Sequence, residues 1–129
     1  MSLHLNDTYQ KADPSLWQGR YESTPNQRIY QKIQCIDLKK DSLKKQDKGL
    51  VIIGFISDEG VIRNFGRPGA SKGPNALRTQ LSNLPNFSSK PLYDVGNICC
   101  INHDLEGAQM ALGHLINSCH EQGHKTLVL

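Results

Sequence analysis

The chain has 129 residues and a formal net charge of +3, from 15 lysines and arginines against 12 acids. At 37% hydrophobic and 21% charged residues it is long and apolar enough to bury the core of one domain, which excludes a disordered chain. No apolar run approaches the ~20 residues that cross a bilayer, and MSLHLNDTYQKADPSLWQGRYES lacks the basic-then-apolar order of a secretory signal. A cytoplasmic protein with no membrane partner is expected.

Residues 1–48 are polar and weakly periodic and are set apart as an N-terminal extension, with residues 49–129 forming the main domain. SLWQGRYES holds the single tryptophan, Trp17, which is expected to anchor this segment on a neighbouring surface. A short helix or strand is placed within residues 28–38. The run KKDSLKKQDK, residues 39–48, gathers five lysines with Asp41 and Asp47 between them. It reads as a solvated linker. Nucleic-acid binding would call for stacking aromatics or a binding motif alongside, so no nucleic-acid partner is expected.

GLVIIGFIS, residues 49–57, is the first clear element. It is continuously apolar, the mark of a strand covered on both faces in a parallel sheet. A loop over residues 58–73 and a helix over about 74–84 follow, with Pro74 at the first helical position, where a missing N–H leaves nothing unpaired. PLYDVGNICC supplies a second strand centred on residues 92–95 and extending toward Ile98. HDLEGAQMALGHLINSCHEQGH is the strongest helix, with Asp104 as its N-cap and Glu106 in the first turn. Leu105, Ala108, Leu112, Leu115, Ile116 and Cys119 share one face, and Gly123 ends the helix. KTLVL begins a third buried strand. The order β-α-β-α-β predicts an α/β fold with a parallel sheet and helices on its faces. Ligands of such folds bind beyond the carboxyl ends of the strands, here at Ser57, Asp58 and Glu59 and at residues 96–100. Because the sequence stops inside a strand, it reads as the N-terminal portion of something longer.

GRPGASKG, residues 66–73, departs from the phosphate loop GxxxxGK[ST], since its lysine precedes the last glycine and Pro74 stands where lysine belongs. His120 and His124 have ligand spacing, but Cys99 and Cys100 are adjacent and point apart on a strand, so no zinc site is expected. The four cysteines, Cys35, Cys99, Cys100 and Cys119, are read as reduced and largely buried. His103 is read as a local hydrogen-bonding residue. Asp58 either pins the loop through its backbone amides or serves chemistry. Arg78 is read as structural. Glu59, Arg63, Asn64 and Arg67 lie on the crevice loop and are the candidate substrate contacts, arginine forks being suited to carboxylates.

GFISDEGVIRNFGRPGASKGPNALR resembles the first strand and following loop of the ureohydrolase superfamily of arginases, agmatinases and formimidoylglutamases. The portion DEGVxRNxGRxGA is similar to formimidoylglutamases in particular, as are SLWQGRYES, LYDVGNICC and the LEGAQMALGHL helix, in the same order. This resemblance implies a three-layer α/β/α fold and hydrolysis of N-formimidoyl-L-glutamate to L-glutamate and formamide in histidine degradation. It also implies two Mn2+ ions activating a bridging water, a small-molecule amidine and dicarboxylate substrate, and a homo-oligomer. The family's metal-ligand motifs, GGGHE, DxHxD and a later aspartate pair, are not among these residues, so no metal or catalytic residue is assigned here. An agmatinase- or arginase-type activity, or a non-catalytic interaction module, is the alternative.

Overall fold

The structure, a computed structural model, describes residues 6–45 and 48–129. Residues 1–5 of the polar segment and residues 46–47 of the lysine run, Asp47 among them, lie outside the described residues. The central pair of strands is β3, Leu50–Ile56, and β4, Leu92–Cys99, which run parallel. A further parallel strand, β5 (Lys125–Val128), pairs with the other edge of β3. Two short strands precede them in the chain, β1 (Tyr9–Gln10) and β2 (Gln34–Cys35), separated by a four-residue helix, α1, at Ile29–Lys32. Both strands add to β4, with β2 parallel and β1 antiparallel. The sheet is therefore mixed rather than wholly parallel. A two-residue strand carries no periodicity that a sequence could reveal; β4 makes these strands by offering its unpaired backbone groups.

The helices cover opposite faces. Val51, Ile53, Tyr93 and Val95 form a core cluster with Ala108, Leu115 and Cys119 of α4 (Leu105–Glu121). The alternate residues, Gly54 and Asp94, meet the helix α3 (Gly73–Leu81) through Arg78. Such double coverage is what the continuous apolar run of β3 requires, and the expected three-layer arrangement holds. Helix α3 begins at Gly73, one residue before the expected start, so Pro74 occupies its second position. An N–H there also lacks an intrahelical partner. Asp104 caps α4 by accepting from the Gly107 amide at 3.0 Å, and Gly123, at φ +88°, turns the chain out of it. No helix among the described residues is long and apolar enough to cross a membrane.

A buried polar network ties the α3 face to the N-terminal segment. Arg78 is 1% exposed and Asp94 0%. The guanidinium grips both carboxylate oxygens, Nε to Oδ2 at 2.8 Å and Nη2 to Oδ1 at 2.9 Å. Trp17 donates its indole N–H to Asp94 Oδ2 at 2.8 Å, and the Gly96 amide donates to Oδ1 at 2.9 Å. Arg78 also reaches the Gly96 carbonyl, Asn97 Oδ1 and Asn75 Oδ1. A buried ion pair is tolerable only when its remaining donors and lone pairs are met in this way. Trp17 thus anchors its segment as expected, and Arg78 is structural.

Two glycines make room for the network. Gly96 sits at a register shift between β3 and β4, with φ +98°, and an added Cβ would lie 2.2 Å from the Gln10 carbonyl oxygen of β1. At Gly54 a Cβ would meet Asn97 Oδ1 at 2.0 Å and Arg78 Nη1 at 2.9 Å. His124, also buried, accepts the Gly49 amide at Nδ1 and bonds the Lys44 carbonyl through Nε2, which holds the turn before β3 against the start of β5.

Candidate functional site

A cleft of about 400 Å³ opens at the carboxyl ends of β3 and β4, lined among others by Ser57, Asp58, Glu59, Ser71, Asn102 and His103. This is where an α/β sheet places its ligands. The loop after β3 is more ordered than the sequence suggested, since Glu59–Arg63 forms a short helix, α2, and Ala70–Lys72 a 3-10 turn leading into α3.

Asp58 pins this loop. Its Oδ1 accepts the amides of Gly69 and Ser71, each at 2.9 Å, and its Oδ2 accepts the Ser71 hydroxyl at 2.9 Å. These donors, the Ser71 amide foremost, hold its carboxyl below the usual carboxylate range. Of the two roles left open for Asp58, the structure shows the backbone-pinning one.

Glu59 and Arg63 lie on α2 and belong to an ion-pair web. Arg63 Nε donates to Glu59 Oε1 at 3.1 Å and Nη1 to Glu106 Oε1 at 2.6 Å, while Nη2 reaches the His103 carbonyl at 3.0 Å. His103 Nδ1 lies 2.9 Å from Glu59 Oε2. The His103 hydrogen bond and then Arg63 hold the Glu59 carboxyl low, and Arg63 does the same for Glu106. Reciprocally, Glu106 and Glu59 raise Arg63 above its ordinary value. Asn64 caps α2, its side-chain amide donating to the Gly60 carbonyl at 2.9 Å. Arg67 is exposed and has no hydrogen-bond or ion-pair partner among the described residues.

Thus the four candidate contacts divide. Glu59 lines the cleft; Arg63 is engaged across to α4; Asn64 serves the turn; Arg67 is an uncommitted cation. His103, expected to bond locally, instead meets Glu59, 44 residues earlier, and both line the cleft. Its position just past a strand's carboxyl end was the available signal. Cys100 lines the cleft as a free thiol, whereas burial pushes the Cys35 and Cys119 thiols each up to about 11. Among the described residues no three His, Cys, Asp or Glu side chains are gathered so as to hold a metal ion. His120 bonds Thr126 and His124 the chain itself. The donors among the described residues therefore do not fit a manganese centre.

No family profile matches the chain. It is 42% identical over 117 residues to the formimidoylglutamase of Legionella pneumophila (strain Paris), covering 91% of this chain and 36% of that protein. It is 44% identical over 126 residues to the formimidoylglutamase of Lysinibacillus sphaericus (strain C3-41), covering 94% and 39%. Among solved structures it is similar to Trypanosoma cruzi formiminoglutamase with Mn2+, at 35% identity and a TM-score of 0.58, over 67% of this chain and 32% of that one. An arginase superfamily protein from the same organism matches equally. The chain spans a little over a third of the length of the curated relatives it matches. In sequence this chain is similar to formimidoylglutamases over 91% of its own length, and in fold to arginase superfamily proteins over 67%.

Proposed function

We propose that this chain supplies the N-terminal part of a cytoplasmic, manganese-dependent hydrolase that converts N-formimidoyl-L-glutamate to L-glutamate and formamide in histidine degradation. Its relatives bear the name of that enzyme, and the similar solved structure is described with Mn2+. Two manganese ions are proposed, held by donors other than those gathered here. The part assigned to this chain is to bind and orient substrate, and residues 49–129 are the portion that carries the site.

The observation that carries the reading is the cationic loop beside the cleft. A formimidoylglutamate carries two carboxylates, and Arg67 is a cation without a partner among the described residues, on a loop whose backbone Asp58 holds still. A free guanidinium on a pinned backbone gives a carboxylate a bidentate partner at little ordering cost. We assign Arg67 the direct contact, with Asn64, Arg63 and Glu59 shaping the loop that presents it. In a polypeptide of the relatives' full length carrying this sequence, Arg67→Ala is expected to raise KM for the dicarboxylate roughly 10- to 100-fold, the range for one lost charged hydrogen-bonding contact. An unchanged KM would remove Arg67 from the site.

A further inference from the structure

The web around Arg63 joins segments far apart in sequence. Glu59 and Arg63 come from α2, His103 from the loop after β4, and Glu106 from the first turn of α4. Isolated surface ion pairs contribute little, but a shared, multiply bonded arginine is the exception. Arg63 uses Nε, Nη1 and Nη2 on three different groups, and Glu59 accepts from Arg63 with one oxygen while meeting His103 with the other. Only 13% of the Glu59 side chain is exposed, against 84% of His103.

The backbone is bent to make this contact. Asn102 and His103 are consecutive residues in the left-handed region, at φ +53° and +62°. That conformation costs a non-glycine residue energy and persists where surrounding contacts demand it. The bend brings His103 Nδ1 to Glu59 and its carbonyl oxygen to Arg63. On the other side of the web, α2 leads straight into Asn64, Phe65, Gly66 and Arg67, with Phe65 also left-handed at φ +60°. No bond from the described residues holds Arg67 itself; its position is set by Asp58 on one flank and by α2 on the other.

We propose that Glu59, His103 and Glu106 are positioning residues acting through Arg63: together they latch α2 to the start of α4 and so fix how the following loop, whose two ends line the cleft at Asp58, Glu59 and Ser71, presents Arg67. This rests on the substrate reading above for its catalytic consequence, but the latch itself is a property of the loop. The test uses His103→Asn, a residue that tolerates the left-handed backbone but is too short for Glu59, together with Glu106→Gln and Glu59→Gln. All are made in the full-length, manganese-loaded polypeptide. Hydrogen exchange of residues 64–68 is read alongside kcat and KM. His103→Asn with Glu106→Gln is expected to speed exchange in that segment several-fold and raise KM about three- to tenfold with kcat little changed. Glu59→Gln, which leaves one oxygen to serve both Arg63 and His103, is expected to shift exchange and KM in the same direction. Unchanged exchange overturns the latch. Faster exchange with unchanged KM overturns its positioning role, provided Arg67→Ala raises KM in the same assay. If Arg67→Ala leaves KM unchanged, the substrate reading falls, and the exchange data still decide the latch.

Discussion

Asp94→Asn is the sharpest probe of how this fold is held together. The substitution keeps shape and removes charge. Asp94 receives four donors: Arg78 Nε and Trp17 Nε1 on Oδ2, Arg78 Nη2 and the Gly96 amide on Oδ1. A carboxamide has one oxygen, so either orientation turns an NH2 group toward two donors that then lack an acceptor. It also leaves the buried guanidinium without its counter-charge. Breaking one side of a buried pair costs about 3–5 kcal/mol, against a whole-domain stability of roughly 5–15 kcal/mol. With a urea m-value near 2 kcal/mol/M, the unfolding midpoint should fall by about 2 M, or the folded baseline should vanish. Urea titration followed by circular dichroism measures this, with the fluorescence of the single tryptophan, Trp17, as a second probe. Trp17→Phe, which removes one donor to the carboxylate and leaves the pair intact, should cost about 1.5–3 kcal/mol. A loss below about 1 kcal/mol for Asp94→Asn would refute the claim that this pair is buried and mutually dependent.

Two other outcomes are expected. Gly96→Ala places a Cβ on a φ of +98° and against the Gln10 carbonyl, so β1 should be pushed from β4 at a cost of about 1–3 kcal/mol in strain alone; thermal unfolding at wild-type temperature would contradict it. The pKa of Asp58 is lowered in the folded chain, so the unfolded chain binds the proton more tightly, and stability from Asp58 is present above its ordinary pKa of about 3.9 and lost as pH falls below it. Asp58→Asn should therefore flatten the fall in stability between about pH 5 and pH 2, and identical slopes for the two proteins would rule this out.

Some of this structure was plain in the sequence and some was not, for physical reasons. The run LVIIG and the apolar face of α4 declare themselves because burial on two faces, or along one helical stripe, leaves a local pattern. Trp17 stood out as an anchor and Arg78 as structural, yet the carboxylate that joins them sits unflagged inside LYDVG. A charge in the middle of a buried strand was the available clue. Strands β1 and β2 exist only through their pairing with β4, and α2 hides in a stretch dense with glycine and proline. At the site, the carboxyl-end rule located the cleft and the loop. It could not separate Arg63 from Arg67, because what distinguishes them is Glu106, 43 residues further along the chain.

The proposed chemistry is tested most directly by its products. In a full-length, manganese-loaded polypeptide carrying this sequence, N-formimidoyl-L-glutamate should yield formamide and L-glutamate in equal amounts, with activity lost on chelation and agmatine and arginine giving no urea. Urea released from a guanidine substrate, with no formamide from formimidoylglutamate, would contradict it.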